Sequence, residues 1–263
     1  MAIAGGAPGG TIPRPEGSGV TYGVAEPPVV PPERRMLEAL CPIGGGLTVP
    51  LPPRLWDCLA SAADVLRDEL NVSPTPPMAP LSVGLTLLAA GVGEPDPRRV
   101  GGLAAAMEMI WTAILSQWAV TAGNAADLMG ILTSDYVLSR ALFIITSDAD
   151  PVAMSSVSAG AVGLCEGVMY GAEQPGEYTE LARGVARHLE ACCRVGAAAA
   201  HLPPDLLGQV GRFGFEAGLS LCMAGPPPKP PSNEWLQNDG TRHLLHAASW
   251  LAVALARPDE TDG

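Results

Sequence analysis

The sequence predicts an all-α protein, and three observations carry that prediction. Apolar residues make up 48% of the 263-residue chain while aromatics supply only 5%, so the β-branched and aromatic runs that suit a pleated sheet are largely missing. From Pro53 onward, apolar residues recur three and four apart through successive stretches, the period of a helix with one buried face. Proline and glycine gather between those stretches and not within them, where they stop and start helices.

Taken in order, the first 53 residues hold 11 prolines and 10 glycines and show neither a helical nor a strand period. A stretch such as Gly5–Gly19 cannot bury enough apolar surface to offset its ordering entropy. Residues 1–52 are therefore expected to form a disordered Pro/Gly-rich tail, broken by one or two helical turns at Glu33–Leu40. Leu55, Leu59, Ala62, Ala63 and Leu66 then mark a first helix, closed before Pro74, Pro76, Pro77 and Pro80. Helical patterns follow at Leu81–Ala90, Val100–Val120, Ala125–Thr146, Ala153–Gly171, Tyr178–His201, Pro204–Ala224 and Thr241–Ala256. Asp150-Pro151 reads as a helix start, with the aspartate as cap and the proline in the first turn. Gly225-Pro226-Pro227-Pro228-Lys229-Pro230-Pro231 is a stiff spacer that no helix crosses. The expected organisation is a tail (1–52), a helical bundle (53–224), and a spacer with a last helix and an acidic end (225–263).

The charge balance excludes some functions. There are 15 basic and 27 acidic side chains, a net charge of −12, and Lys229 is the sole lysine. Nucleic-acid binding needs basic residues to replace counterions on phosphates, so no nucleic-acid partner is expected. An anionic membrane surface is disfavoured for the same reason. No secretory leader pattern opens the chain. The longest apolar runs, around Leu81–Val92 and Ala247–Ala256, fall short of the roughly 20 residues of a bilayer span, so no membrane span is expected. Six scattered cysteines fit a reduced, cytoplasmic setting.

Ser134-Asp135-Tyr136-Val137-Leu138-Ser139-Arg140-Ala141 resembles the GDYLLARA helix of the trans-isoprenyl diphosphate synthases, with Ser134 in the glycine position. Ala104–Ala113, with Glu108 in its centre and Trp111 where that family has histidine, is similar to the helix A-x-x-[LM]-E-[LM]-[IL]-H-T-A. Ser158–Gly167 resembles the helix before the G-E-x-x-Q element, Gly196-Ala197 the glycine-alanine pair, and Arg212–Leu219 the approach to the second aspartate motif. Roughly residues 54–224 are covered, in order. The resemblance implies an isoprenoid-synthase-like helical bundle working as a dimer.

That family holds Mg²⁺ on two DDxxD motifs to neutralise an allylic diphosphate as it leaves. Here the paired aspartates fall on Trp118 and Ala119 and on Gly225 and Pro226, and the chain contains no Asp-Asp dipeptide. The basic G-K-R-x-R-P motif aligns with Thr75-Pro76-Pro77-Met78-Ala79-Pro80 and keeps only its last proline. The arginine pair after the first aspartate motif is deleted, and the lysine-threonine pair falls near Gly184-Val185. Two unit charges 4 Å apart interact by roughly 4 kcal/mol at an effective dielectric near 20. An allylic diphosphate would meet nothing here to offset its charge. No catalytic, cofactor-binding or metal-binding residue is therefore assigned.

Other constellations read as structural. His243 and His246 lack a third ligand at metal spacing. Cys192 and Cys193 face about 100° apart on a helix and suit a small apolar core role, and Cys41, Cys58, Cys165 and Cys222 read as isolated thiols. Arg98-Arg99 is expected to be a solvated face, Asp148 and Asp150 to belong to a helix start. Glu108 and Asp135 are expected to make buried hydrogen bonds that fix helix register. Trp111 and Trp118, seven apart, are expected to fill or line an apolar space.

The expected function is that of a non-catalytic homologue, a regulatory or structural subunit that forms a homodimer or pairs with a catalytic isoprenyl diphosphate synthase. The alternatives are a Mg²⁺-dependent prenyl transferase or terpene synthase whose ligands come from Glu166, Glu190 or Glu216, a scaffold or shell protein recruited through residues 1–52, and a lipid-binding module with an apolar cavity.

Overall fold

The computed structural model describes residues 47–223 apart from 122–127, 149 and 174–178, together with Asp239, Arg242, His243 and His246. All lie in Pro31–Gly263, the larger of the two units into which the chain divides. The expected tail up to residue 46, the Glu33–Leu40 turns, the proline spacer and most of Thr241–Ala256 lie outside the described residues.

The elements run β1 (Thr48–Pro50), a 3-10 turn (Pro53–Leu55), α1 (Trp56–Leu70), β2 (Met78–Pro80), α2 (Leu81–Ala90), α3 (Pro97–Thr121), α4 (Leu128–Asp148), α5 (Pro151–Glu173), α6 (Thr179–Ala199) and α7 (Pro204–Met223). The fold is the predicted all-α bundle, and each expected helix from Leu55 to Ala224 is present with its ends shifted by a few residues. α1 stops where Asn71 takes a left-handed conformation, φ 56°, and its N–H returns to the Arg67 carbonyl, a helix end that asparagine tolerates. α5 starts as read: Asp150 Oδ1 accepts hydrogen bonds from the N–H groups of Val152 and Ala153.

Two short strands correct the sequence reading. β1 and β2 pair antiparallel, with Val49 opposite Ala79, so residues 47–52 do not belong to a disordered tail. Val49 and Leu51 are core residues, and the Leu51 N–H donates to the Pro77 carbonyl at 2.7 Å. Three residues flanked by prolines are too short for an alternating pattern to show.

Every residue of α2 is buried. It is surrounded by α3, α6, α1 and both strands, and the backbone of α6 comes close to it. A Cβ on Gly196 would lie 2.0 Å from the Thr86 carbonyl oxygen, so only glycine permits this approach. α3 is the spine, touching α1, α2, α4 and α6, while α5, α6 and α7 pack in sequence.

Arg99 ties four helix ends together, which corrects its assignment to a solvated face. Its guanidinium donates to both carboxylate oxygens of Asp148 at 2.7 and 3.0 Å, to Asp150 Oδ2 at 3.0 Å and to the Ala199 carbonyl at 3.0 Å. The two-pronged match to Asp148 is the geometry in which arginine binds carboxylates best. Arg98, by contrast, is exposed.

The reading that no stretch is long and apolar enough for a span also needs correction. Pro97–Gln117, Met129–Asp148 and Pro151–Gly171 are long and apolar enough to cross a membrane by length and composition. Counting unbroken apolar runs missed them because glycine, serine, threonine and a few charged residues such as Glu108, Asp135 and Glu166 interrupt the runs without making the helices polar overall. The first is 83% buried inside the bundle, whereas the second is only 22% buried.

Replacing Gly196 with alanine is expected to cost about 3 kcal/mol or more, because the clash is with backbone that cannot repack. Gly208→Ala, in α7 with nothing within 4 Å of the added methyl, is expected to stabilise by about 0.5–1 kcal/mol. Urea unfolding of both variants against the parent chain checks the pair.

Candidate functional site

α2 begins at Leu81 after Pro80, which offers no side-chain cap, so its first N–H groups need an acceptor inside the protein. Glu108, in the middle of α3 and 3% exposed, supplies it. Its carboxyl group accepts from the Ser82 hydroxyl and from the N–H groups of Ser82 and Val83. Those bonds favour the ionised form, yet desolvation outweighs them and pushes the carboxyl up to about 7. Oε2 has no hydrogen-bond partner.

A buried polar cluster continues from this cap. Ser82 Oγ lies 3.2 Å from His188 Nε2 on α6, and Cys192 Sγ lies 3.5 Å from the same nitrogen. Thr86 Oγ1 donates to the Ser82 carbonyl at 2.8 Å. The His188 ring sits 4.9 Å from the Trp111 ring, tilted by 32°. Burial alone lowers His188 to about 3, so the imidazole is neutral at ordinary pH. Its Nδ1 has no partner.

This is not a nucleophilic triad. Ser82 and His188 are wholly buried, the carboxyl group contacts the serine and not the histidine, and an imidazole lowered this far is a poor base near neutrality. The thiols are equally inert: burial pushes Cys58 up to about 11, Cys222 up to about 12, and Cys192 and Cys193 higher than usual as well. The apolar role expected for Cys192 and Cys193 fits both. The sequence reading passed over Ser82 and His188. The signal for the latter was its place between Val185 and Cys192, three and four residues apart on the buried face of α6.

On the other side of Glu108 lies a cavity of about 1140 Å³, walled by the end of α1, the Asn71–Thr75 loop, β2, α3 and α4. Trp111, 1% exposed, lines this space without closing it, so the tryptophan does not plug the bundle. Thr75, Met78 and Pro80, from the segment aligned with the basic diphosphate-binding motif, form part of the wall. Thr112, one turn beyond Glu108, also lines it, and its Oγ1 has no partner. The charged residues of the wall are Arg67, Asp68, Glu69 and Glu108. Arg67 is paired with Asp64, and Glu69 accepts from Arg140 of α4 at 2.7 Å.

The remaining candidates are dispersed. Asp135 is exposed, not buried, and accepts from Gln117 Nε2 at 2.7 Å. Glu166, Glu190 and Glu216 stand on three different helices, next to Arg187, Arg194 and Arg212 at 4.0, 3.7 and 3.5 Å. Among the described residues no three His, Cys, Asp or Glu side chains come together as a metal site. The side chain of Trp118 lies outside the described residues, as do Gly225 and Pro226.

Glu108 and His188 set opposite limits on stability. Between pH 4.5 and about 7 the folded chain keeps the Glu108 proton that the unfolded chain has released, so stability falls as pH rises. Between 6.5 and about 3 the unfolded chain takes up a proton that buried His188 refuses, so stability falls as pH drops. The stability of the parent chain relative to Glu108→Gln is expected to drop by about 3 kcal/mol from pH 4.5 to 7.5. The His188 contribution cancels in that difference. A difference that stays flat across this range in denaturant titrations would refute the assignment.

No family model matches the sequence, and no curated protein matches it. Solved structures do. A decaprenyl diphosphate synthase from Rhodobacter capsulatus aligns at 16% identity and TM-score 0.56, covering 83% of this chain and 85% of that one. A polyprenyl synthase from Caulobacter crescentus CB15, complexed with calcium and isoprenyl diphosphate, aligns at 16% identity and TM-score 0.52 over 76% and 80% of the two chains. A deletion mutant of the mint heterotetrameric geranyl pyrophosphate synthase aligns at 13% identity and TM-score 0.52, over 79% of this chain and 100% of that one. The helical bundle thus belongs to a known architecture: this chain has the fold of the polyprenyl synthases.

Proposed function

We propose that this protein is a non-catalytic homologue of the isoprenyl diphosphate synthases, acting as a regulatory or structural subunit by association of its helical bundle. The observation that carries the reading is α4. This 21-residue helix packs along α3 and barely touches α5. Its other side exposes Leu132, Tyr136 and Phe143, at 51, 56 and 60%, residues four and seven apart that share one face. An apolar face of this kind marks an interaction surface, which on a helix packed into a bundle we read as a protein–protein contact. Val162 and Met169, seven apart on α5, add outward apolar surface at 55 and 63%.

The chemistry of the interior supports a non-catalytic role. Two aligned aspartate pairs are replaced by Trp118, Ala119, Gly225 and Pro226, and the glutamates offered as substitutes are scattered beside arginines. The partner that fits is a catalytic isoprenyl diphosphate synthase or a second copy of this chain. One neighbour in fold, the mint enzyme, is heterotetrameric by its own description.

Affinity purification of the tagged full-length protein from its native cells, with mass spectrometry of what stays bound, tests this. Near-stoichiometric recovery of a synthase bearing both aspartate motifs is expected. The double substitution Leu132→Glu, Phe143→Glu is expected to abolish that recovery and leave the helical circular dichroism signal intact. Recovery of the chain alone as a monomer, or Mg²⁺-dependent turnover of an allylic diphosphate by it, would overturn the reading.

A further inference from the structure

We propose that the groove over the exposed side of α6, between α5 and α7, binds a small phosphate monoester, its phosphoryl group held by Arg187 with Arg183 and Arg194 on either side. The groove has a volume of about 600 Å³. Its floor is one stripe of α6, formed by Glu180, Arg183, Arg187, Glu190, Ala191 and Arg194. Spacings of three and four residues put these on a single helix face. One side is the first half of α5, including Ser156 and Gly160, and Phe215 of α7 stands opposite. Three arginines against two glutamates leave an excess of positive charge, in a chain whose net charge is −12.

Two of the arginines are seated by glycines of the flanking helices. A Cβ on Gly163 of α5 would lie 2.4 Å from Arg187 Cδ, and one on Gly211 of α7 would lie 2.6 Å from Arg194 Cγ. Both stems therefore run across bare backbone, which restrains the guanidinium groups before any ligand arrives. Their donors are largely uncommitted. Among the described residues the Arg187 side chain makes no hydrogen bond, and its ion pair with Glu166 stands at 4.0 Å with the two side chains 54% and 68% exposed. Arg194 donates from Nε to Ser156 Oγ at 3.3 Å and lies 3.7 Å from Glu190, while Arg183 is paired with Glu180. Solvated pairs of this kind are weak. A guanidinium carries five N–H donors, so each arginine keeps some for an anion.

The head group follows from that donor set. At neutral pH a phosphate monoester carries nearly two charges and three acceptor oxygens, enough to take donors from more than one guanidinium. A carboxylate has two oxygens and one charge, which Arg187 satisfies alone. Inorganic phosphate would leave most of the groove and the Phe215 ring uncovered, so the ligand has a compact organic body beyond its ester oxygen. The groove shares no residue with α4 or with the cavity beside Glu108. The inference therefore stands whether or not the protein is a subunit of a larger enzyme.

The test uses the full-length chain and four probes, phenyl phosphate, inorganic phosphate, benzoate and benzylamine, titrated by calorimetry at pH 7.5 and low salt. Saturable one-to-one binding of phenyl phosphate is expected, roughly tenfold tighter than inorganic phosphate or benzoate, with none of benzylamine. Arg187→Gln keeps the stem and removes the charge. It is expected to weaken phenyl phosphate by about tenfold or more at an unchanged melting temperature. Glu190→Gln removes a like charge from the floor and is expected to tighten binding by about threefold, a gain that a merely structural groove would not show. Arg212→Gln, on α7 and outside the groove, is expected to change affinity by less than about twofold. If Arg187→Gln fails to fold, a loss in Arg183→Gln together with the gain in Glu190→Gln decides. No saturable binding of phenyl phosphate, binding indifferent to Arg187→Gln, or an equal loss in Arg212→Gln would overturn the site. Equal affinity for inorganic phosphate or for benzoate would overturn the choice of a phosphate monoester.

Discussion

A helix with no exposed face must find every polar partner inside the protein, and α2 is such a helix. Its N-terminal N–H groups point away from any solvent and follow a proline that cannot cap them. Glu108 meets that demand from the adjoining helix, a charge-capable group at the positive end of the helix dipole. The position of α2 against α3 is fixed by this pairing, and from it follow the places of Ser82, Thr86, His188 and Cys192. The same burial dictates the close approach of α6 at Gly196, which brings the histidine to the serine. Desolvation of Glu108 and of His188 is the cost of that arrangement, and each group answers it by shedding charge: the carboxyl group holds its proton longer, the imidazole refuses one.

Glu108 also joins structure to a site. Its carboxyl group serves the cap, and the same side chain lines the cavity. The charged side chains on the wall of that cavity are three acidic residues, Asp68, Glu69 and Glu108, and one arginine, Arg67, which is paired with Asp64. The outward side of α4 carries apolar residues that the bundle itself does not use.

The helices were legible because their information is local. The 3.6-residue period, the prolines between segments and the Asp150 cap each operate within a few residues, and among the described residues the structure keeps them. Arg99 was misread because nothing beside it in sequence shows that α4, α5 and α6 all end at its guanidinium, 49 to 100 residues away. Asp135 was expected inside because its helix is apolar, yet it stands exposed at the edge of the side that packs on α3, where it accepts from Gln117. The strands at Thr48–Pro50 and Met78–Pro80 carry three residues each, too few to display alternation against a background of prolines.

By itself the sequence determined the all-α class, the order and approximate limits of the helices, and the absence of any Asp-Asp pair, since these depend on residue type and short-range spacing. The resemblance carried by Ser134–Ala141 and its companions pointed to an architecture that the solved neighbours share. Tertiary structure alone decided that Glu108 caps a buried helix and borders a cavity, that His188 meets Ser82, and that Trp111 lines a space instead of filling it. Those outcomes depend on which buried groups are brought within 3–5 Å of one another by packing, and a pattern read along one chain contains no such distances.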